Sequence, residues 1–273
     1  MTAALAQAST APAGFADGGA LLRLLREDRI DAVILDLDGT LRCAGQWLEG
    51  AVELLSELER TATPSVVLTN DASAFAHEKA ALLRECGATF SEEQVLTCAD
   101  LTIVTMRQRG WSRADVMGRL GASAGHDLDL RPFDAGRGLT EPVLILGSGA
   151  TLSDELLTAW CRRPPEHCLV ANADLVWLPS DACVSACPGL VGHALAALAS
   201  AMGQRVSFTE CGKPSVSAFE HALERLSALW RRPFLRERVA VFGDSAYSDI
   251  TPAARLNLVP VQARTGLWRF HGK

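Results

Sequence analysis

The chain has 273 residues, enough for one large domain or two modest ones, and its 48% apolar and 21% charged content is that of an ordinary globular protein, which excludes wholesale disorder. Twenty-six basic against 32 acidic side chains leave a net charge of −6, the wrong sign for a chain whose main work is on phosphate backbones. No stretch reaches the roughly 20 apolar residues that span a bilayer, since the best candidate, 190–202, is short and contains His193. Neither nucleic acid nor membrane is expected as a partner.

Residues 1–20 are rich in Ala, Gly, Ser and Thr, with no basic residue before Arg23, and read as a flexible lead-in without the charged start of a secretory signal. The Ile, Val and Leu run at 30–37 predicts a strand buried on both faces. Apolar residues at 52, 54, 55 and 58 predict a helix over 49–60, and 65–68 a second buried strand ending at Thr69-Asn70. A helix follows over 74–85, closed by Gly87. Residues 114–138, with five glycines, read as loops around weak elements. Strands are expected at 141–146 and 168–176 and a helix at 153–161, with an Ala-rich helix after Pro188-Gly189. The last part predicts a helix at 215–230, a strand at 238–242, a short helix at 249–256 and a strand at 257–262. Strands alternating with helices define an α/β fold with a doubly wound parallel sheet, Rossmann-like in its core. Trp160, Trp177 and Trp230 read as core or cap packing, and Trp47 as core. The eight cysteines are too sparse for a disulfide scaffold, and Cys183 and Cys187 lack the second tight pair of a zinc site. Free thiols make the cytoplasm the expected compartment.

Chemistry-bearing residues cluster where these strands end, which is where open parallel sheets bind ligands. They are Asp36 and Asp38 in Asp-Leu-Asp-Gly-Thr, Thr69 and Asn70, Lys213 in Gly-Lys-Pro, and Asp244 and Asp249 around a turn. Four carboxylates sharing one sheet edge would repel one another unless a cation compensates. All-oxygen ligands favour a hard divalent ion such as Mg²⁺. Lys213 adds a positive charge, and metal, lysine, hydroxyl and amide together suit a phosphoryl dianion. One Asp can then act as nucleophile and form an acyl phosphate, while a second, two residues on, serves as general acid and base.

Asp36-Leu37-Asp38-Gly39-Thr40-Leu41 resembles the first motif of the haloacid dehalogenase-like phosphohydrolases, and Thr69-Asn70, Lys213 and Asp244…Asp249 resemble their second, third and fourth, in order. The resemblance implies Asp36 as nucleophile and metal ligand, and Asp38 as acid/base with its backbone carbonyl on the metal. It implies Thr69 and Asn70 on the phosphoryl oxygens and Lys213 paired with nucleophile and phosphate. Asp244 would bind Mg²⁺ directly and Asp249 through water. An Asp at position 38 favours phosphoryl chemistry over carbon–halogen cleavage.

Twenty-eight residues, 41–68, separate the first two motifs, too few for a cap domain, whereas 142 residues, 71–212, separate Asn70 from Lys213. An inserted α/β cap is therefore expected at 95–185, with the core formed by 21–94 and 186–273. This layout resembles the nitrophenylphosphatase, phosphoglycolate phosphatase and pyridoxal phosphate phosphatase branch. Asp71 departs from that branch where a second Asn is common, and Ala173 interrupts its Asn-Pro-Asp loop. Asn172 and Asp174 in that loop are candidates for substrate contact, with turn formation as the plainer role. The expected function is Mg²⁺-dependent hydrolysis of a small phosphorylated metabolite through an aspartyl-phosphate. A non-catalytic phosphate-ligand-binding or regulatory member of the same fold, or a phosphotransferase with an acceptor other than water, stays open, as does a homodimer. Gly243-Asp244-Ser245 also resembles an esterase block, but the Asp-x-x-His it needs is missing, with Trp268 in the Asp position before His271. Gly147-Ser148-Gly149 lacks the Lys of a phosphate loop.

Overall fold

A computed structural model describes residues 18–271, apart from 44, 86, 88–89, 122–126 and 181–182. Of the expected lead-in, residues 1–17 lie outside the described residues, as does Cys86. Residues 18–20 instead open helix α1 (Gly18–Arg26), which buries Leu21 and Leu24 in the core.

Strand β1 (Ala32–Leu35) is followed by a small flap, β2 (Arg42–Cys43) and β3 (Gln46–Trp47). Helix α2 (Ala51–Arg60), strand β4 (Ser65–Thr69), helix α3 (Ala76–Glu85) and strand β5 (Val95–Thr97) come next. Then come α4 (Cys98–Gln108), β6 (Arg113–Met117), β7 (Asp129–Pro132), β8 (Val143–Leu146), α5 (Asp154–Arg162) and β9 (His167–Val170). A hairpin of β10 (Val176–Ser180) and β11 (Cys183–Ala186) leads into α6 (Pro188–Ala201) and β12 (Ser207–Glu210). The chain closes with α7 (Val216–Trp230), β13 (Val239–Gly243), a π-helical turn at Ala246–Ile250, α8 (Thr251–Arg255), β14 (Val259–Gln262) and α9 (Trp268–His271).

Two five-stranded parallel sheets result, ordered β14-β13-β1-β4-β5 and β12-β9-β8-β6-β7. Every residue of β1, β4 and β13 is buried, because helices cover both faces and alternation of apolar with polar residues has no use there. The period of two persists in what each side chain meets. Val33, Leu35, Val67, Ala240 and Phe242 pack on α1, α2 and α3, while Ile34, Val66, Leu68, Val239 and Val241 pack on α7. Helix α2 lays Ala51, Leu54, Leu55 and Leu58 on the first layer at the spacing that puts them on one face.

The expected insert and the second sheet overlap without coinciding. Val95–Thr97 pairs with β4 in the first sheet, and Ser207–Glu210 pairs with β9 in the second. Residues 114–138, expected as loops, contain β6, an interior strand. Its apolar run is broken by Asp115, which is fully buried and paired with the Arg137 guanidinium (3.0 Å) and the backbone N–H groups of Thr140 and Glu141 (2.6 and 2.9 Å). The single strand expected at 168–176 ends at Val170, where a turn intervenes before β10. Trp160 is buried in the core of the second sheet and Trp230 packs against that of the first, but Trp177 is 51% exposed on the hairpin. Trp47 packs on the first layer beneath the Arg42 guanidinium, 5.6 Å from the ring centre. Among the described residues no helix is long and apolar enough to cross a membrane.

Candidate active site

From β1 the chain proceeds to β4 and β5 on one side, and later to β13 and β14 on the other, so the strand order reverses between β1 and β13. A crevice opens at the C-terminal ends of strands at such a point. Asp36 is the first residue beyond β1 and Asp244 the first beyond β13, and the Asp36 N–H extends the ladder to the Phe242 carbonyl (2.9 Å). Gly39, at φ +103°, lets the chain turn against Asp244, since a β-carbon there would stand 2.6 Å from the Asp244 Oδ2.

Asp36, Asp244 and Asp249 are all buried, and one carboxylate oxygen of each lies within 4.8 Å of the others. Lys213 bridges two of them. Its Nζ donates to Asp36 Oδ1 and Asp249 Oδ1, both at 2.6 Å. The Thr40 hydroxyl donates to Asp36 Oδ2 (2.6 Å), with Asp244 Oδ1 3.2 Å away. Backbone N–H groups of Leu267 and Ser245 hold Asp244 Oδ2 (2.6 Å) and Asp249 Oδ2 (3.1 Å). Ser245 uses its hydroxyl to accept the Ser248 N–H (3.1 Å) and cap the π-helical turn, which is a structural role.

The electrostatics of this cluster are out of balance by themselves, with three buried carboxylates facing one ammonium. Burial pushes the Asp244 carboxyl well above its usual range, with Asp36 and Asp249 adding repulsion. Burial and Asp36 likewise raise Asp249 to about 7 against the pull of Lys213. Burial opposes the charge on Lys213, yet Asp249 and Asp36 beside it hold its ammonium well above the ordinary range. Carboxylate oxygens set this close and left short of positive charge fit a hard divalent cation.

The other expected residues divide. Asp38 stays outside the carboxylate cluster, its side chain 48% exposed to the crevice and its Oδ2 3.6 Å from Lys79 Nζ. The crevice wall still withdraws water from its carboxyl and raises it, with Asp71 and Asp36 repelling and Lys79 opposing. Thr69 is buried and its hydroxyl accepts the Asp71 N–H (3.2 Å). Asn70, expected on the phosphoryl oxygens, clamps the Lys213 backbone with its side chain, donating to its carbonyl (2.7 Å) and accepting from its N–H (2.8 Å). Asn172 shapes the turn after β9, its Oδ1 accepting the Asp174 N–H (2.9 Å). That turn delivers Asp174 from the second sheet to the first, within hydrogen-bonding reach of Ser248 and Asn70. Burial and Asp36 raise the Asp174 carboxyl to about 6, with Lys213 opposing. Gly189 allows this approach, because a β-carbon there would strike the Ala173 and Asp174 carbonyls. Thr40 and Lys79 are the site neighbours that the sequence reading left without a role. Thr40 lies inside the first motif and could have been found there, whereas nothing in the sequence around Lys79 signals its partner.

Residues 33–126 match the sequence model of the haloacid dehalogenase-like hydrolases. A stretch of 69 residues is 42% identical to the D-glycerol 3-phosphate phosphatase of Mycobacterium tuberculosis, covering 25% of this chain but only 19% of that relative. Among solved structures, the 4-nitrophenylphosphatase of Thermotoga maritima is 25% identical, with a TM-score of 0.67 over 88% of this chain and 87% of that one. The glycerol phosphate phosphatase of Mycobacterium tuberculosis, in complex with calcium, shares the fold at 24% identity, with a TM-score of 0.63 over 86% of this chain and 66% of that one.

Proposed function

We propose that this protein is a Mg²⁺-dependent phosphatase that hydrolyses a small phosphorylated metabolite, a phosphate monoester, through an aspartyl-phosphate on Asp36. The observation that carries this reading is the buried meeting of Asp36, Asp244 and Asp249 with Lys213, short of positive charge. Side chains of Asp36, Asp244 and Asp249, with the backbone carbonyl of Asp38, would hold the ion, Asp249 through water. When bound, Mg²⁺ supplies charge neutralisation for a phosphoryl dianion.

The chain's own groups then account for the steps. Lys213 and Thr40 fix the Asp36 carboxylate from both sides, so that an oxygen meets phosphorus without reorienting. As the Asp36 oxygen–phosphorus bond forms, the bond from phosphorus to the leaving oxygen breaks, and Asp38 gives that oxygen a proton. Asp38, now a carboxylate, takes a proton from water as the water attacks the phosphorus, which frees Asp36 and inorganic phosphate. The Thr69 hydroxyl keeps its own proton for a phosphoryl oxygen, and Asn70 acts on the phosphate through the Lys213 loop that it clamps. Asp174 stands where the remainder of the substrate would enter, with Asn172 setting its turn. The second sheet would serve as the cap inserted between the two parts of the core, with Val95–Thr97 paired to β4 and Ser207–Glu210 to β9. Cys98, Cys161, Cys168, Cys183, Cys187 and Cys211 carry free thiols, which supports a reducing compartment such as the cytoplasm.

Phosphate release from nitrophenyl phosphate tests this reading, with glycerol 3-phosphate as a second substrate. Mg²⁺-dependent turnover that is lost in EDTA and in Asp36→Asn is expected. Turnover that survives EDTA overturns the metal, and turnover by Asp36→Asn overturns the nucleophile.

A further inference from the structure

Helix α3 turns a cation inward. Lys79 is only 6% exposed, and a buried ammonium is costly unless anions meet it. Two do, unequally. Nζ donates to Asp71 Oδ2 at 2.5 Å, and Asp38 Oδ2 lies at 3.6 Å, within ion-pair range and beyond a hydrogen bond. Asp71 is itself fixed, its Oδ1 accepting the Ser73 N–H (2.8 Å) and its own N–H donating to the Thr69 hydroxyl (3.2 Å). A continuous line of contacts thus runs from the end of β4, through Asp71 and Lys79, to the residue two beyond Asp36. Arg42, the other nearby cation, donates to the Gly45 carbonyl (2.9 Å) and lies over the Trp47 ring, and its pull on the Asp38 carboxyl is weaker than that of Lys79.

The inequality of the two contacts has a chemical use. A lysine bonded directly to Asp38 would occupy one of the oxygens that must exchange a proton. Held 3.6 Å away by its shorter bond to Asp71, the ammonium draws the Asp38 carboxyl toward α3 and, among the described residues, leaves both of its oxygens without a hydrogen bond. Asp71, the departure from the second Asn usual in the resembling branch, is what makes this arrangement available.

We infer that Lys79, anchored by Asp71, is a positioning residue for the Asp38 carboxyl. This rests on the phosphatase reading above, in which Asp38 protonates the leaving oxygen. A misplaced proton donor costs most when the leaving group is a strong base, and little when it departs readily as an anion. The test compares kcat/KM for phenyl phosphate and nitrophenyl phosphate, similar in shape and different in leaving-group basicity. It uses wild type, Lys79→Met, Lys79→Arg and the double variant Lys79→Met/Asp71→Asn, all with Mg²⁺. Lys79→Met should lose about ten-fold more on phenyl phosphate than on nitrophenyl phosphate, and Lys79→Arg should recover most of that difference. The double variant, which removes the stranded Asp71 charge and so guards against simple misfolding, should keep the selective loss. Equal losses on the two substrates in Lys79→Met, or a double variant with the wild-type ratio, would overturn the inference while an active wild type leaves the phosphatase reading standing. A wild type that releases no phosphate from either substrate removes both together.

Discussion

Replacing Lys213 with methionine deletes the ammonium and keeps most of the stem, so its cost isolates the charge. The ammonium lies 2.6 Å from both Asp36 and Asp249. At an effective dielectric of about 20, each such contact is worth roughly 6 kcal/mol in gross attraction. Most of this offsets the removal of three ions from water, and breaking a buried pair from one side costs about 3–5 kcal/mol net. Urea unfolding in EDTA at pH 8 should therefore show Lys213→Met less stable than wild type by that amount. At pH 5 the gap should narrow, because carboxyls without their cation take up protons. A saturating divalent ion should also restore part of the loss, as a hundred-fold excess over its dissociation constant stabilises a binding-competent fold by about 2.7 kcal/mol. A variant matching wild type at pH 8 without metal, or a loss independent of pH, would refute the view that one lysine balances this cluster.

Asn70→Ala removes both hydrogen bonds to the Lys213 backbone and strands its N–H and carbonyl, so a loss of about 2–4 kcal/mol is expected in urea unfolding. A loss below 1 kcal/mol would show that the clamp is dispensable. Gly39→Ala places a methyl group 2.6 Å from the Asp244 carboxylate at a backbone angle unfavourable to alanine, so calorimetric titration should show weakened Mg²⁺ binding, and unchanged affinity would count against the cluster as the metal site. In the wild type without metal, Asp249 and Asp174 titrate near 7 and 6 when folded and near 4 when unfolded. The folded state thus binds more protons across that interval, so stability is greatest below about pH 4 as far as these groups are concerned and falls as pH rises through 7. Urea midpoints in EDTA should drop between pH 5 and pH 8, and a rise would contradict the sign.

The features legible in the sequence are those whose cause is local. The apolar runs of β1, β4 and β13 announce burial on both faces, and the four-residue rhythm of α2 announces its packed face, because each pattern is set by neighbours a few positions away. The acidic motifs stand immediately after those strands, so their meeting at one sheet edge follows from the topology of a doubly wound fold. Interior strand β6 was hidden because its buried Asp115 is satisfied by Arg137 and by the backbone at 140 and 141, partners a polar residue in a chain does not declare. Asn70 holding the lysine loop, Asp174 crossing from one sheet to the other, and Lys79 sharing itself between Asp71 and Asp38 were decided only by the folded chain. Each depends on which buried group lacks a partner once the layers have packed, and that choice is made by distance in space, which the order of residues does not encode.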